Sequence, residues 1–179
     1  LVAAFCAALL TFMLLPTSIT VDSDLDGFEV LDSSGKTASM GSLAWELAQK
    51  AGGSSGDDQS NAVAVDSNGD VYVTGAFEQT ATFGSTTLTT AGNDDIFVAK
   101  MNSTGHWLWA VQAGGLYDDT GMDLAVDSTG NVFLTGSFQN TAQFCSDSMT
   151  AGPTSNDDFF IAKIDTWGNW QWVEGVDCH

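Results

Sequence analysis

Residues 56–77 read GDDQSNAVAVDSNGDVYVTGAF, and residues 117–138 read YDDTGMDLAVDSTGNVFLTGSF. A displacement of 61 positions aligns residues 57–88 with 118–149 without a gap, and 15 of those 32 positions are identical. Repetition at this level marks a fold assembled from copies of one structural unit. Inside each copy the apolar residues alternate: Val71, Val73, Gly75 and Phe77 share one face, as do Trp107, Trp109, Val111 and Ala113. A period of two belongs to strands, not helices. Between these strands lie DSNG (66–69), NSTG (102–105) and DSTG (127–130). Such sequences make tight turns, because Asp or Asn bonds its own backbone and Gly accepts a positive φ.

Working outward, residues 93–107 (NDDIFVAKMNSTGHW) match residues 156–170 (NDDFFIAKIDTWGNW). Each unit of about 60 residues therefore holds four main strands. In the first copy these are 62–65, 71–77, 96–101 and 107–113, with a short variable hairpin at 81–90 between the second and third. A four-stranded antiparallel unit at this spacing predicts an all-β chain of β-propeller blades, each packing a face on the next. The predicted organisation is repeat 1 over 45–106, repeat 2 over 107–169 and the start of a third over 170–179. Two full copies make a partial propeller, since closure takes about four to eight blades. The recurring Trp, Phe and Tyr fit the wedge between blades, and packing is their expected role ahead of stacking on carbohydrate.

The frame AGG, GDDxxNAVAVDSNGDVYVTGAF, TATFGSTTLTTAG and NDDIFVAKMNSTGHWLWAVQAGG resembles the bacterial and archaeal SBBP-type β-propeller repeat, named for a seven-bladed propeller. The resemblance runs from about Trp45 to the end of the chain. It implies blade architecture and a secreted or cell-surface setting, and it brings no shared catalytic residues.

Composition agrees with an exported β protein. The 179 residues include four Lys, no Arg, 19 Asp and four Glu, for a formal net charge of −19. So few cations exclude a nucleic-acid binder acting by phosphate neutralisation. At 44% hydrophobic and 11% aromatic, the chain carries enough apolar material for a packed core. The acidic, Arg-free surface also fits a saline medium, where screening relieves self-repulsion.

Residues 1–15, LVAAFCAALLTFMLL, are apolar except for Thr11 and stop at Pro16. They are shorter than a spanning helix and read as the core of a secretory leader over 1–20, entered part-way. Any membrane contact is expected only through this segment. Residues 21–44 are expected to form an acidic N-terminal segment or an incomplete blade, because VLDSSGK (30–36) loosely matches KMNSTGH (100–106).

Asp22, Asp24, Asp26 and Asp32 are the candidate metal ligands. Alternate carboxylates followed by Gly27 open a calcium loop. Ser33 stands where the closing bidentate Glu belongs, so an acidic linker accounts for the same residues. No cofactor is required by the sequence; calcium is the one candidate. The pairs Asp57/Asp58, Asp94/Asp95, Asp118/Asp119 and Asp157/Asp158 recur in each copy and are expected to serve turns or surface acidity, ahead of a metal per blade.

Catalytic signatures such as GxSxG, HExxH, a phosphate-binding glycine loop or CxxC do not occur. His106 stands in a turn where the next copy has Asn169, and His179 is the last residue. Cys145 and Cys178 would share an oxidising compartment, but a bridge between them is not the favoured expectation. The expected function is a non-enzymatic, exported scaffold for interaction or adhesion, with a protein or glycan ligand. A self-assembling subunit covering its own exposed blade faces, or a piece of a larger secreted enzyme, are the alternatives.

Overall fold

The computed structural model describes residues 29–31, 37–39, 48–152 and 157–176. Residues 1–46 and 47–179 fall into two compact units. In the first, β1 (Glu29–Leu31) pairs antiparallel with β2 (Thr37–Ser39). The expected leader, and the turn expected within 32–36, lie outside the described residues.

The second unit is all β among the described residues. Blade 1 consists of β3 (Asp58–Val65), β4 (Val71–Phe83), β5 (Thr86–Met101) and β6 (Trp107–Gly115), each antiparallel to the next. Blade 2 repeats the plan with β7 (Thr120–Val126), β8 (Val132–Gln139), β11 (Asp157–Ile164) and β12 (Trp170–Val176). The predicted strands are all present. One feature differs from expectation: in blade 1 the variable hairpin is not separate but continues β4 and β5. A bulge between Glu78 and Thr80, with Gln79 at φ 59°, lets the ladder resume as Thr80↔Thr89 through Phe83↔Thr86. In blade 2 the same segment detaches after Asn140 as the hairpin β9 (Thr141–Phe144) and β10 (Asp147–Thr150). Gly114 and Gly115 of β6 pair with Gln143 and Ala142 of β9, which ties blade 1 to blade 2 by backbone.

One turn is used four times. The carboxylate of Asp66 accepts the backbone N–H of Asn68 and of Asp70, while Gly69 takes φ 79°. Asn102, Asp127 and Asp165 do the same in their turns, with glycines at φ 85°, 82° and 89°. These bonds satisfy donors that the strand ends leave unpaired.

The main core lies in the seam between blades. Tyr72, Ile96, Val98 and Ala113 of blade 1 meet Leu134, Phe138, Phe160 and Ala162 of blade 2, all buried. A second cluster, with Phe77, Phe83, Phe97 and Ala99, fills the opposite side of blade 1. Leu134 is fully buried in the seam, so Leu134→Ala should destabilise the chain by about 2–5 kcal/mol, the usual cost of such a cavity. Urea denaturation of the variant beside the parent measures this.

Candidate functional site

The four candidate metal ligands Asp22, Asp24, Asp26 and Asp32 lie outside the described residues. Among the described residues no group of three or more His, Cys, Asp or Glu is placed to hold a metal ion. His106 sits exposed in its turn with Nδ1 at 3.0 Å from Thr104 Oγ1. Cys145 is exposed at the tip of the β9–β10 hairpin, and Cys178 lies outside the described residues.

The aspartate pairs divide their labour in a way that spacing alone did not reveal. The second member of each pair holds a backbone amide; Asp95, Asp119 and Asp158 are buried as they do so, and Asp58 stays exposed. Asp58 Oδ2 accepts from Gly53 N–H at 2.7 Å, and Asp119 Oδ2 from Gly115 N–H at 2.6 Å. Asp95 Oδ2 accepts from Ala91 N–H at 3.0 Å, and Asp158 Oδ2 from Gly152 N–H at 2.7 Å. The first members Asp57, Asp118 and Asp157 are exposed. Half-buried Asp94 is pushed above the ordinary carboxylate range by burial and by the charges of Glu78, Asp118 and Asp57.

A polar anchor closes the other end of the seam. Lys100 is buried, with Nζ 3.0 Å from Asp70 and 3.9 Å from Asp66, and 4.8 Å above the ring of Tyr72. Tyr72 Oη donates to Asp66 at 3.1 Å. Burial works against the ammonium, but its interactions with Tyr72 and Asp70 prevail and raise its pKa. The corresponding Lys163 of blade 2 lies 5.5 Å above Phe133, with Asn131 in the place of Asp70. Sequence reading overlooked this anchor, although a Lys recurring between apolar residues in a chain with only four was the available signal. Turn residues of blade 2 cap the seam: Trp109 Nε1 donates to Thr166 O at 3.1 Å, and a Cβ on Gly130 would stand 2.7 Å from Thr166 Oγ1.

The feature with the clearest binding potential is the far face of blade 2. Ile96 and Val98 of blade 1 are wholly buried under blade 2, whereas their counterparts Phe159 and Ile161 are 48% and 44% exposed. Trp172, the counterpart of Trp109, is 37% exposed and packs at 6.3 Å against Phe133, which replaces Tyr72. The opposite end of the unit mirrors this. Leu124 of blade 2 is buried against blade 1, and its counterpart Val63 is 63% exposed. Near it a cavity of about 250 Å³ is lined by Val73, Phe77, Phe83, Phe97 and Trp107, among others. The unit thus ends in two complementary halves of the seam that it contains. Trp107 and Trp170 serve packing, in edge contacts with Phe83 and Phe144 at 5.2 and 5.4 Å.

Comparison with known proteins agrees with the blade geometry. The SBBP family, a beta-propeller repeat, matches residues 48–76 and 108–137. The chain carries two SBBP repeats. The first match runs through β3 into β4 of blade 1, and the second runs from β6 of blade 1 through β7 into β8 of blade 2, so the second straddles the seam. An uncharacterized WD repeat-containing protein of Acanthamoeba polyphaga mimivirus is 34% identical over 59 residues. That stretch is 33% of this chain and spans 4% of the viral protein's length.

The equivalent lysines of the two blades should differ in weight. Lys100→Met leaves Asp66 and Asp70 without their cation and should cost about 2–4 kcal/mol, whereas Lys163→Met should cost less than about 1 kcal/mol. Paired urea titrations of the two variants test this.

Proposed function

We propose that the chain is an exported, non-enzymatic SBBP-repeat scaffold that binds protein through the exposed face of blade 2. The observation that carries the reading is the contrast between equivalent positions: Ile96 and Val98 are covered, Phe159 and Ile161 are not. An apolar patch of this kind on a soluble protein marks an interaction surface. The occupant is a further blade of the same repeat, because the internal seam displays what fits: a sheet face bearing residues equivalent to Leu124, Leu134, Phe138 and Phe160. Trp172 is the anchor, since a large aromatic at the centre of a desolvated patch contributes most to such contacts. The SBBP repeats and the likeness to a WD repeat-containing protein support a role in protein interaction. Export rests on the apolar leader of residues 1–20, and the acidic surface fits an extracellular medium.

A second reading, self-assembly, draws on the complementarity of the two ends, because a head-to-tail contact between copies reuses a seam of known fit. Glycan adhesion has less support, since Trp107, Trp109 and Trp170 are engaged in packing.

Light scattering of the purified chain over a range of concentrations tests the docking face. Association should grow with concentration, and the double variant Phe159→Asp, Ile161→Lys should weaken it by roughly tenfold or more while leaving the far-UV circular dichroism unchanged. Association that the double variant leaves intact, or a chain that stays monomeric throughout, would remove the support for this face.

A further inference from the structure

Asp95 and Asp119 come from different blades and converge on the space that a side chain at Gly114 would fill. Asp95 lies on β5 of blade 1 and is 1% exposed; Asp119 immediately precedes β7 of blade 2 and is 0% exposed. A Cβ on Gly114 would stand 2.6 Å from Asp95 Oδ1 and 3.0 Å from Asp119 Oδ2. Only a glycine leaves open the space on which the two carboxylates converge, since any side chain there would collide with both.

Three of the four carboxylate oxygens have donors. Asp119 Oδ2 accepts from Gly115 N–H at 2.6 Å and its Oδ1 from Gln139 N–H at 2.9 Å. Asp95 Oδ2 accepts from Ala91 N–H at 3.0 Å, with Gln112 Nε2 at 3.4 Å. Asp95 Oδ1 is buried and has no hydrogen-bond partner among the described residues. The charged neighbours make matters worse. Asp94 adjoins Asp95, Asp118 adjoins Asp119, and Asp57 and Glu78 lie within electrostatic reach of Asp94. The buried cation of the seam, Lys100, is committed to Asp66 and Asp70. Two anions buried together without a cation are strongly disfavoured, and the usual resolution is to retain a proton.

We propose that Asp95 and Asp119 share one proton, carried on Asp95 Oδ1 and donated toward Asp119, which makes the seam between the blades a pH-sensitive joint. The joint is tight while the proton is held and weakens when it leaves. It does not depend on what covers the far face of blade 2. Titration tendencies agree with the geometry: both carboxyls are pushed up to about 6, chiefly by burial, against the backbone hydrogen bonds that favour their charged forms. A carboxyl whose folded pKa lies above its unfolded value contributes stability that is complete below the unfolded pKa and is lost as pH rises through the folded one. The turn aspartates act in the opposite sense. Asp66, Asp127 and Asp165 are held below the ordinary range by the hydrogen bonds of their turns, so their contribution is lost as pH falls. Together these place the chain's greatest stability in mildly acid solution.

The test is urea denaturation of the full chain across pH, with Asp95→Asn as the diagnostic variant. The amide keeps an oxygen for Ala91 N–H and puts an N–H₂ donor where Asp95 Oδ1 stands, so it imitates the protonated acid. Between about pH 5 and about pH 8 the parent's unfolding equilibrium constant should rise on the order of tenfold. In D95N most of that rise should vanish, and at the upper pH the variant should be at least as stable as the parent. A variant that is weaker there and keeps the parent's slope would overturn the proposal. Should D95N fail to fold, carboxyl NMR titration of the parent decides: one of the two carboxyls titrating above about pH 5 upholds the shared proton, and both titrating near ordinary aspartate values refutes it.

Discussion

A blade with apolar side chains on both faces of its sheet has to be covered on both faces. That constraint governs the rest of the structure. A strand exposes alternate residues to opposite sides, and in both copies each side carries Val, Leu, Ile, Phe or Trp. Burying each such side chain contributes roughly 1.5–3 kcal/mol, so a single blade in water would leave most of its driving force unused. The seam between the blades is where that force is realised. The larger of the two core clusters, the shared β6–β9 ladder and the Trp109–Thr166 hydrogen bond all lie there.

Around this seam the two copies have diverged in step with their surroundings. Blade 1, whose rear face is covered, carries the Tyr72, Asp70 and Lys100 network, where polar groups out of water satisfy one another. Blade 2, whose corresponding face is open, has Phe133 and Asn131 at those positions and a partly exposed Lys163 that lies over Phe133 and has no ion pair among the described residues. Water can serve an exposed ammonium; a buried one needs carboxylates. Identical backbone plans therefore hold different side-chain chemistry according to what each face meets.

Much of the fold was legible because its signals are local. Alternation from Val71 to Phe77 can only be a strand, and the DSNG and DSTG sequences contain both the carboxylate and the glycine that their turn requires. The fusion of the variable hairpin with β4 and β5 was not legible, since it depends on a bulge at Gln79 that its side chain does not announce. The aspartate pairs were found but not resolved. Nothing in the letters DD shows that the second carboxylate holds a backbone amide, or that it is buried at Asp95, Asp119 and Asp158 and exposed at Asp58, because strand direction and the neighbouring blade decide this.

The sequence by itself determined that the chain is built of repeated antiparallel blades, where the alternating centre of each main strand lies, and how the turns close, since period and turn chemistry act over a few residues. Only the tertiary structure decided which faces are covered and which are open. It also decided that Asp95 meets Asp119, and that Lys100 is buried while Lys163 is not. These depend on residues some 20 to 60 positions apart approaching within a few ångströms, and that approach is set by blade packing, which no local pattern encodes.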